Sequence, residues 1–406
     1  MKTLVIAFIL VNLFSLIKPT HASSGNQFSP YVSLLSIYDD NFFRVDKQDL
    51  ATIGMLGGEE KLSDTVLVYI AGLNVDLNLF RQNLIINAEL NKYKFVKNVD
   101  FNNDNAQYSV SWGWALTNRL YGNLMHSYEE NLASFENNQS LALGGNKQIK
   151  EISGLSGNWK FLQNFAIGFE CSETDSAFQD SITNTKSNII FDNKKEVKFE
   201  YVDRKYNKIG IKLSKKVIKN SFENNITAFL TSIENTIEQI VFTTDLNFSN
   251  KSKFAGQIGK EILKDDFDAT SSHYWNGKVS YLWSISDSFQ LESQVYREIQ
   301  RSDNNLINLE QIEGVNVSFN WLLTSKSYIK SSFEFDKRLR SNQRFGNNLL
   351  NDSFDELNRL ANFSYFFEPS RFISVNASYE YLARDTSKLN RNFNSKMLSI
   401  SITIKG

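Results

Sequence analysis

The sequence is poor in cysteine and proline. Its one cysteine, Cys171, cannot form an intrachain disulfide, which excludes a small secreted scaffold held together by disulfides. Only 3 prolines occur in 406 residues, whereas aromatic residues make up 13%. Proline is rare inside sheets and aromatic side chains are favoured in strands, so this composition indicates a chain rich in β-strands.

Long apolar runs and a net charge are also missing. After residue 22, no apolar run reaches the about eighteen residues that would indicate a spanning helix, so we expect none there. The formal net charge of −1 argues against a basic surface for nucleic acid, and we predict no nucleic-acid partner.

Catalytic and metal-binding motifs are equally scarce. His126 and His273 are far apart and fit no metal-ligand spacing. Ser127 follows His126 directly, but neighbouring residues on a strand face opposite sides and could not form a catalytic pair. We therefore predict a protein that is not an enzyme and has no catalytic residues, no metal site and no cofactor.

The N-terminus has the layout of a secretory signal peptide. Lys2 precedes an apolar run from Leu4 to Ile17, and Thr20 and Ala22 occupy the small-residue positions before a cleavage site. A membrane anchor is the alternative, but the run is shorter than the ~20 residues that a spanning helix needs. We predict a signal peptide at residues 1–22 and a single domain at residues 23–406.

Alternating apolar and polar residues dominate this domain. In the stretch from Val315 to Trp321, "VNVSFNW", every second residue is apolar, which gives a strand one apolar and one polar face. A soluble sandwich would bury the apolar face in a core. An outer-membrane barrel would turn it to lipid and line a wet interior with the polar face.

Strand length and connections favour the barrel. The pattern predicts strands of roughly 10 to 14 residues, which is long for a soluble protein and sufficient for a tilted strand to span a membrane. Short turns alternate with long polar loops, as in bacterial barrels. The turns are predicted near positions 81–82, 118, 163, 205, 250, 287, 325 and 369.

Tryptophan recurs three or four residues before several of these turns. On a strand, this constant distance would place the rings at one height, and we predict an aromatic girdle at one membrane interface. Tryptophans in the core of a sandwich are the alternative. The girdle residues are Trp114, Trp159, Trp283 and Trp321.

The count of hairpins predicts the size of the barrel. Eight hairpins lie between about residues 66 and 384, and strands at 29–38 and 394–405 complete the ring. We therefore predict an all-β, antiparallel transmembrane outer-membrane barrel of about 18 strands. Sixteen strands remain an alternative because residues 217–236 are hard to divide, and a propeller is a minor one. The predicted interior mixes acidic, basic and amide side chains without an excess of either sign, which suits neutral polar solutes such as sugars. The alternative is that any barrel interior must be polar, whatever passes through it.

One short segment resembles a known family. "YDDNFFR", which follows the first predicted strand, is similar to a signature near the mature N-terminus of the EpsL-like exopolysaccharide biosynthesis proteins. These are grouped with the β-barrel porins and are often associated with exosortase systems. The likeness continues through residues 71–95 and 112–124. The matching signature residues are Tyr38, Asp39, Asp40, Asn41, Phe43 and Arg44, with Phe42 where the family has leucine.

The resemblance implies a barrel in the outer membrane that takes part in polysaccharide synthesis and export, as conduit or structural partner. It implies contact with outer-membrane lipid, and with an exopolysaccharide chain and export-system proteins; the family defines no catalytic residues. From the residues themselves, the two aspartates end the first strand, since they lack the acids and glycine of a calcium loop. A general diffusion porin and a secreted β-rich adhesin remain the alternative functions.

Overall fold

The computed structural model describes most of the chain after residue 25. The predicted signal peptide, residues 1–22, lies outside the described residues. The described residues are 26–49, 52, 54, 56–135, 147–179, 186–222, 231–265, 270–300, 307–342, 354–387 and 391–406.

The described residues form a closed barrel of eighteen antiparallel strands. Each strand pairs with the next along the chain, and the first strand also pairs with the last, from Tyr31 opposite Lys405 to Asp39 opposite Met397. The predicted fold and strand number are confirmed, and the sixteen-strand alternative is wrong. The segment at 217–236 contains the end of one strand and the start of the next.

The strands contain between 12 and 19 residues, so many are longer than predicted. A tilted strand needs only about 9 to 11 residues to span a membrane, so the remaining residues of each strand extend beyond the membrane. No helix among the described residues is long and apolar enough to cross a membrane. The strands are β1 Gln27–Asp39, β2 Asp64–Leu79, β3 Gln82–Phe95, β4 Asn103–Ala115, β5 Leu120–Leu132, β6 Lys147–Trp159, β7 Phe165–Gln179, β8 Lys186–Val202, β9 Lys208–Phe222, β10 Thr231–Ser249, β11 Ser252–Asp265, β12 Thr270–Ser284, β13 Phe289–Gln300, β14 Ile307–Thr324, β15 Ser327–Asn342, β16 Phe354–Ser370, β17 Ile373–Thr386 and β18 Phe393–Lys405.

The two ends of the barrel differ, as the sequence predicts. At one end, which we call the turn end, short turns connect the strands and both ends of the described chain emerge. At the other, the loop end, the connections include the long β1–β2 loop at 40–63, which contains a short 3₁₀ helix, Glu59–Lys61. The turns are at residues 80–81, 116–119, 160–164, 203–207, 250–251, 285–288, 325–326 and 371–372.

The outer wall of the barrel is apolar. Val315 and Trp321 on β14 remain 42% and 44% exposed, and they share this face with exposed valine, phenylalanine and leucine side chains of the neighbouring strands. A sandwich would bury these residues between two sheets. Exposed apolar side chains around a closed ring fit a lipid environment, and they do not fit a soluble sandwich, propeller or adhesin.

Glycines make room for aromatic rings on both walls. On the outer wall, Gly122 and Gly157 lie opposite each other, and the rings of Trp114 and Phe169 cover them from the two flanking strands. This row packs four strands together on the outward face of the sheet. The rings occupy the space that a Cβ atom would need.

The inner wall repeats this arrangement with tyrosine. The ring of Tyr31 on β1 crosses Gly72 on β2, and its hydroxyl donates a 2.5 Å hydrogen bond to Glu89 on β3. Tyr296 on β13 crosses Gly314 in the same way and donates to Glu334 at 2.6 Å. Each tyrosine therefore links three strands, which requires a glycine in the middle one.

We predict that Gly72→Ala destabilises the barrel, whereas Gly113→Ala, a matched change on the inner wall of β4, does not. A Cβ at residue 72 would displace the Tyr31 ring and break its bond to Glu89, whereas the nearest atom to a Cβ at residue 113 is 3.7 Å away. Overpacking of this kind costs about 1–3 kcal/mol of unfolding free energy. Urea unfolding of the folded barrel measures it, and equal midpoints for the two variants would contradict the packing role of Gly72.

Candidate functional site

The signature segment lies where β1 ends at the mouth of the barrel. Tyr38 faces outward and is 46% exposed, whereas Asp39, the last residue of β1, faces inward and is 4% exposed. The two aspartates are not a paired acid site, because Asp39 is buried and Asp40 lies at the surface of the first turn beyond the strand.

Asp39 accepts hydrogen bonds from three different groups. The guanidinium Nη1 of Arg44 donates at 2.7 Å, the backbone N–H of Asn41 at 2.9 Å and the Oγ of Ser395 at 2.8 Å. A buried carboxylate is stable only when it is paired and hydrogen-bonded, and both conditions hold here. Because Ser395 belongs to β18, Asp39 ties the loop to both strands that close the barrel.

Asn41 and Arg44 complete this anchor. Asn41 is fully buried, and its Nδ2 donates to the carbonyl oxygens of Val45 at 2.8 Å and Asn394 at 2.7 Å. Arg44 has a positive φ of 56° and also donates to the carbonyl oxygen of Asn41. A left-handed backbone is unfavourable for arginine, so the ion pair and hydrogen bonds hold the chain in this turn.

The neighbouring Asp40 makes weaker, more exposed contacts, one of them to β18. It accepts a 2.7 Å hydrogen bond from the backbone N–H of Lys396 and a 2.9 Å ion pair from Lys47. The side chain of Lys47 is 44% exposed, and an ion pair in such contact with water contributes little. Asp40 therefore contributes less than Asp39 to holding the loop against β18.

The two phenylalanines of the signature turn into the barrel and form an aromatic cluster with three other segments. The Phe42 ring centroid lies 5.2 Å from that of Phe95 on β3, 5.5 Å from Phe101 and 4.9 Å from Phe135. Phe43 is 3% exposed and lies 5.1 Å from Phe135. The β1–β2 loop is thereby held against the loops that follow β3 and β5.

The inner wall beneath this cluster is apolar, which sequence reasoning missed. Val66, Val68 and Phe95 face inward and are buried with Leu35 and Ile37 packed against them. The signal was available in "TVLVYI" from Thr65, where apolar residues occupy both faces of the strand. Such a run indicates a strand covered on both sides, here by lipid and by the β1–β2 loop.

A second buried carboxylate anchors the loop after β3. Asp64, the first residue of β2, is fully buried and accepts hydrogen bonds from the backbone N–H groups of Thr65, Lys97 and Asn98 at 2.7, 3.0 and 2.8 Å. The Nδ2 of Asn98 adds a fourth at 2.9 Å. Asp39 and Asp64 therefore hold both ends of the β1–β2 loop at the rim.

The inner wall of β14 to β17, which adjoin β18 in the ring, holds a buried charge network. Arg340 is fully buried between Glu310 at 3.0 Å and Glu356 at 2.7 Å. Arg384 and Arg391 also approach Glu356, at 3.6 and 2.9 Å. Burial lowers the pKa of Arg391, which lies outside the strands, although Glu356 opposes the shift. Arg340 follows Glu310 by 30 positions, and Glu356 follows Arg340 by 16, so the alternation within one strand could not group them.

A ladder of partly buried ion pairs lines the inner wall of β7 to β9. Its four lysines and four carboxylates pair within β8 and between neighbouring strands at 2.6 to 3.7 Å, so neither sign dominates this wall. The ladder consists of Lys194, Lys198, Lys212 and Lys216 with Glu170, Asp192, Glu196 and Glu200.

The lumen is open toward the turn end and filled toward the loop end. Inward-facing residues near the turns, such as Asn74, Asn87 and Asn320, are exposed. Inward-facing residues near the loops, such as Asp39 and Arg340, are buried. Side chains of the described residues therefore narrow the passage in its loop-side half.

The predicted girdle residues lie on the outer wall near the turn end. Trp114, Trp159, Trp283 and Trp321 are each within three residues of the end of their strand. The last three are at least 44% exposed, and Trp114 is partly covered because it lies over Gly122. Their role as a membrane-interface girdle remains a prediction.

One serine and one histidine do meet on the outer wall. His126 Nδ1 lies 2.9 Å from Ser153 Oγ, and its Nε2 lies 3.3 Å from the hydroxyl of Tyr108. Glu173 is opposite Ser153 in the register, where a carboxylate would oppose a developing oxyanion. Among the described residues, no cluster of three or more histidine, cysteine or acidic side chains could hold a metal ion.

Comparisons with solved structures find outer-membrane barrels. The chain is similar to OccK1 (OpdK) of Pseudomonas aeruginosa, with 8% identity, a TM-score of 0.51, and coverage of 94% of this chain and 99% of that one. A mutant of the ferric enterobactin receptor PfeA, also from Pseudomonas aeruginosa, gives 7% identity, a TM-score of 0.50, and coverage of 95% and 81%. No protein-family model and no curated protein matches the chain. At these identities the likeness shows the fold, which is that of Gram-negative outer-membrane β-barrels.

We predict that Asp39→Ala impairs the folded barrel and that Asp40→Ala, its matched neighbour, has little effect. Removing Asp39 takes away the buried carboxylate that accepts from Arg44, Asn41 and Ser395, and breaking a buried ion pair costs about 3–5 kcal/mol. The exposed Asp40–Lys47 pair is worth about 0–1 kcal/mol. Heat-modifiable migration on gels and urea midpoints measure both. Normal stability of Asp39→Ala, together with lost polymer export, would instead indicate a functional role for this carboxylate.

Proposed function

We propose that this outer-membrane barrel is a non-enzymatic conduit that takes part in exopolysaccharide export. The observation that carries the proposal is the composition of the open, turn-side lumen, where amide side chains face the passage. The resemblance of the segment at 38–44 to the EpsL-like proteins names the class of polymer.

Amide side chains suit a neutral, hydroxyl-rich chain because each one can both donate and accept hydrogen bonds. Asn74, Asn87, Gln257, Gln290 and Asn320 are exposed on the inner wall. The charges of the β7–β9 ladder are paired with one another, so they do not give the passage a preference for ions of one sign. A polysaccharide could slide along such a wall by exchanging hydrogen bonds.

The filled mouth supports a regulated passage. The β1–β2 loop is held at Asp39 and Asp64 and packs through Phe42 and Phe43, so the loop-side half is narrow in this state. Polymer passage would require this aromatic cluster to move. We assign this movement of the aromatic cluster to an export-system protein that binds the barrel.

A diffusion porin for small polar solutes is the second candidate. The charged ladder favours it, because paired but hydrated charges line a water-filled path without requiring a polymer. The similarity to OccK1 over nearly the whole of both chains is compatible with it, although that similarity shows the fold alone.

The proposal predicts that blocking the lumen stops polymer export. In a Cys171→Ser background, Asn74→Cys places a thiol on the inner wall and Val75→Cys places one on the outer wall of the same strand. Labelling Asn74→Cys with a polyethylene glycol maleimide is expected to reduce both bilayer conductance and surface polysaccharide, because the polymer fills the passage. The labelled Val75→Cys protein should keep both.

The two candidate functions give different results. Deleting the gene for this protein should lower surface polysaccharide if the protein exports the polymer. Re-expression of the unlabelled variants should restore the surface polysaccharide. Unchanged surface polysaccharide after deletion, with a conductance that small sugars block, would overturn the export proposal and support the porin.

A further inference from the structure

The outer wall carries a groove that the pore does not use. Its volume is about 720 Å³, and it crosses β11 to β15. The groove exists because Gly277, in the middle of the outward face of β12, has no side chain to fill it. Its apolar walls are Ile258, Val279, Val295, Val315 and Phe335.

Basic side chains border the groove on its loop side. Arg297 and Lys337 both line it together with one acid, Glu313, and Lys260 lies directly opposite the groove residue Trp275 on the neighbouring strand. Arg297 pairs with Glu313 at 3.2 Å and Lys337 with Asp355 at 2.7 Å, but all four side chains are about half exposed. Exposed ion pairs of this kind are weak, so both cations can exchange partners with a phosphate.

A polar pocket adjoins the groove through Lys337. It has a volume of about 670 Å³ and lies between β16 and the end of β17. Asp355, Asp385, Thr386 and Asn392 line it. Carboxylate, hydroxyl and amide groups are the side chains that accept and donate hydrogen bonds to sugar hydroxyls.

We infer that this surface binds a phosphorylated glycolipid of the outer leaflet. An acyl chain lies in the apolar groove, a phosphate contacts Arg297 and Lys337, and the sugar hydroxyls enter the polar pocket. The loop end faces the cell exterior, because bacterial barrels have their short turns on the periplasmic side. The apolar groove therefore lies toward the lipid and the cations and polar pocket toward the exterior, as the acyl chains and the phosphorylated sugar of such a lipid do.

The polar pocket distinguishes this ligand from an ordinary phospholipid. A phospholipid such as phosphatidylcholine would satisfy the groove and the two cations, but it has no hydroxyl group that could donate a hydrogen bond to the carboxylates of Asp355 and Asp385. A sugar headgroup supplies those hydroxyl donors. The site is independent of the lumen, so it stands whether or not the barrel exports a polymer.

Native mass spectrometry of the detergent-solubilised barrel tests the inference. The probe is a synthetic bis-phosphorylated, acylated glucosamine disaccharide, and phosphatidylcholine is the comparison lipid. We expect the disaccharide lipid to bind about tenfold more tightly than phosphatidylcholine. The double variant Arg297→Gln with Lys337→Gln should lose about tenfold in affinity, which corresponds to 1.4 kcal/mol shared between two charged contacts.

A matched control separates specific contacts from general charge loss. Lys219→Gln with Lys264→Gln removes two cations from outward-facing ion pairs that line neither the groove nor the polar pocket, and it should keep the affinity. Filling the groove with Val295→Trp should weaken binding of the disaccharide lipid, whereas Val197→Trp, on the outer wall of β8, should not. Heat-modifiable migration confirms that each variant is folded.

Three results would overturn the inference. These are equal affinity for the two lipids, equal losses in the groove and control double variants, and full binding by a folded Val295→Trp protein. Preference for phosphatidylcholine would assign the groove to a phospholipid.

Discussion

Closure of the ring between β1 and β18 is the constraint on which the rest of the structure depends. Lipid offers no partner to an unpaired backbone N–H or carbonyl, so a sheet with free edges cannot span a membrane. The register from Tyr31 opposite Lys405 to Asp39 opposite Met397 satisfies both closing strands. Once the ring is closed, every strand has one face toward lipid and one toward the lumen, which is why period-two alternation runs through the whole chain.

The signature segment lies at the loop end of this closing seam. Asp39 and Asn41 both contact β18, through Ser395 and Asn394, so the segment holds together the first and last strands of the barrel. It also starts the loop that carries Phe42 and Phe43 into the mouth. The same few residues therefore join closure of the barrel to narrowing of the passage, and a change in the anchor would be felt in both.

The two halves of the lumen differ in how far their polar side chains are buried. In the loop-side half, Arg340 and Glu356 are buried and must satisfy each other, because a buried charge without a partner is costly. In the turn-side half, amide and charged side chains remain in water and cost little to expose. The outer wall shows a parallel change along its height, from the tryptophans near the turns to the exposed ion pairs near the loops. The height of a side chain along the barrel axis thus determines whether it is buried or exposed to water or lipid.

The sequence by itself determined the architecture. The first and last strands, the turn positions and the apolar face of β14 from Val315 to Trp321 all follow from local patterns, whereas the choice between 18 and 16 strands needed the structure, which divides residues 217–236 between β9 and β10. These depend on neighbouring residues and on the two-residue period of a strand. Only the tertiary structure decided what the signature does, because the partners of Asp39 and Asn41 on β18 are more than 350 positions away. The Tyr31–Gly72–Glu89 contact, the Arg340 network and the groove at Gly277 likewise need the cross-strand register, which brings together residues that no spacing in one strand can relate.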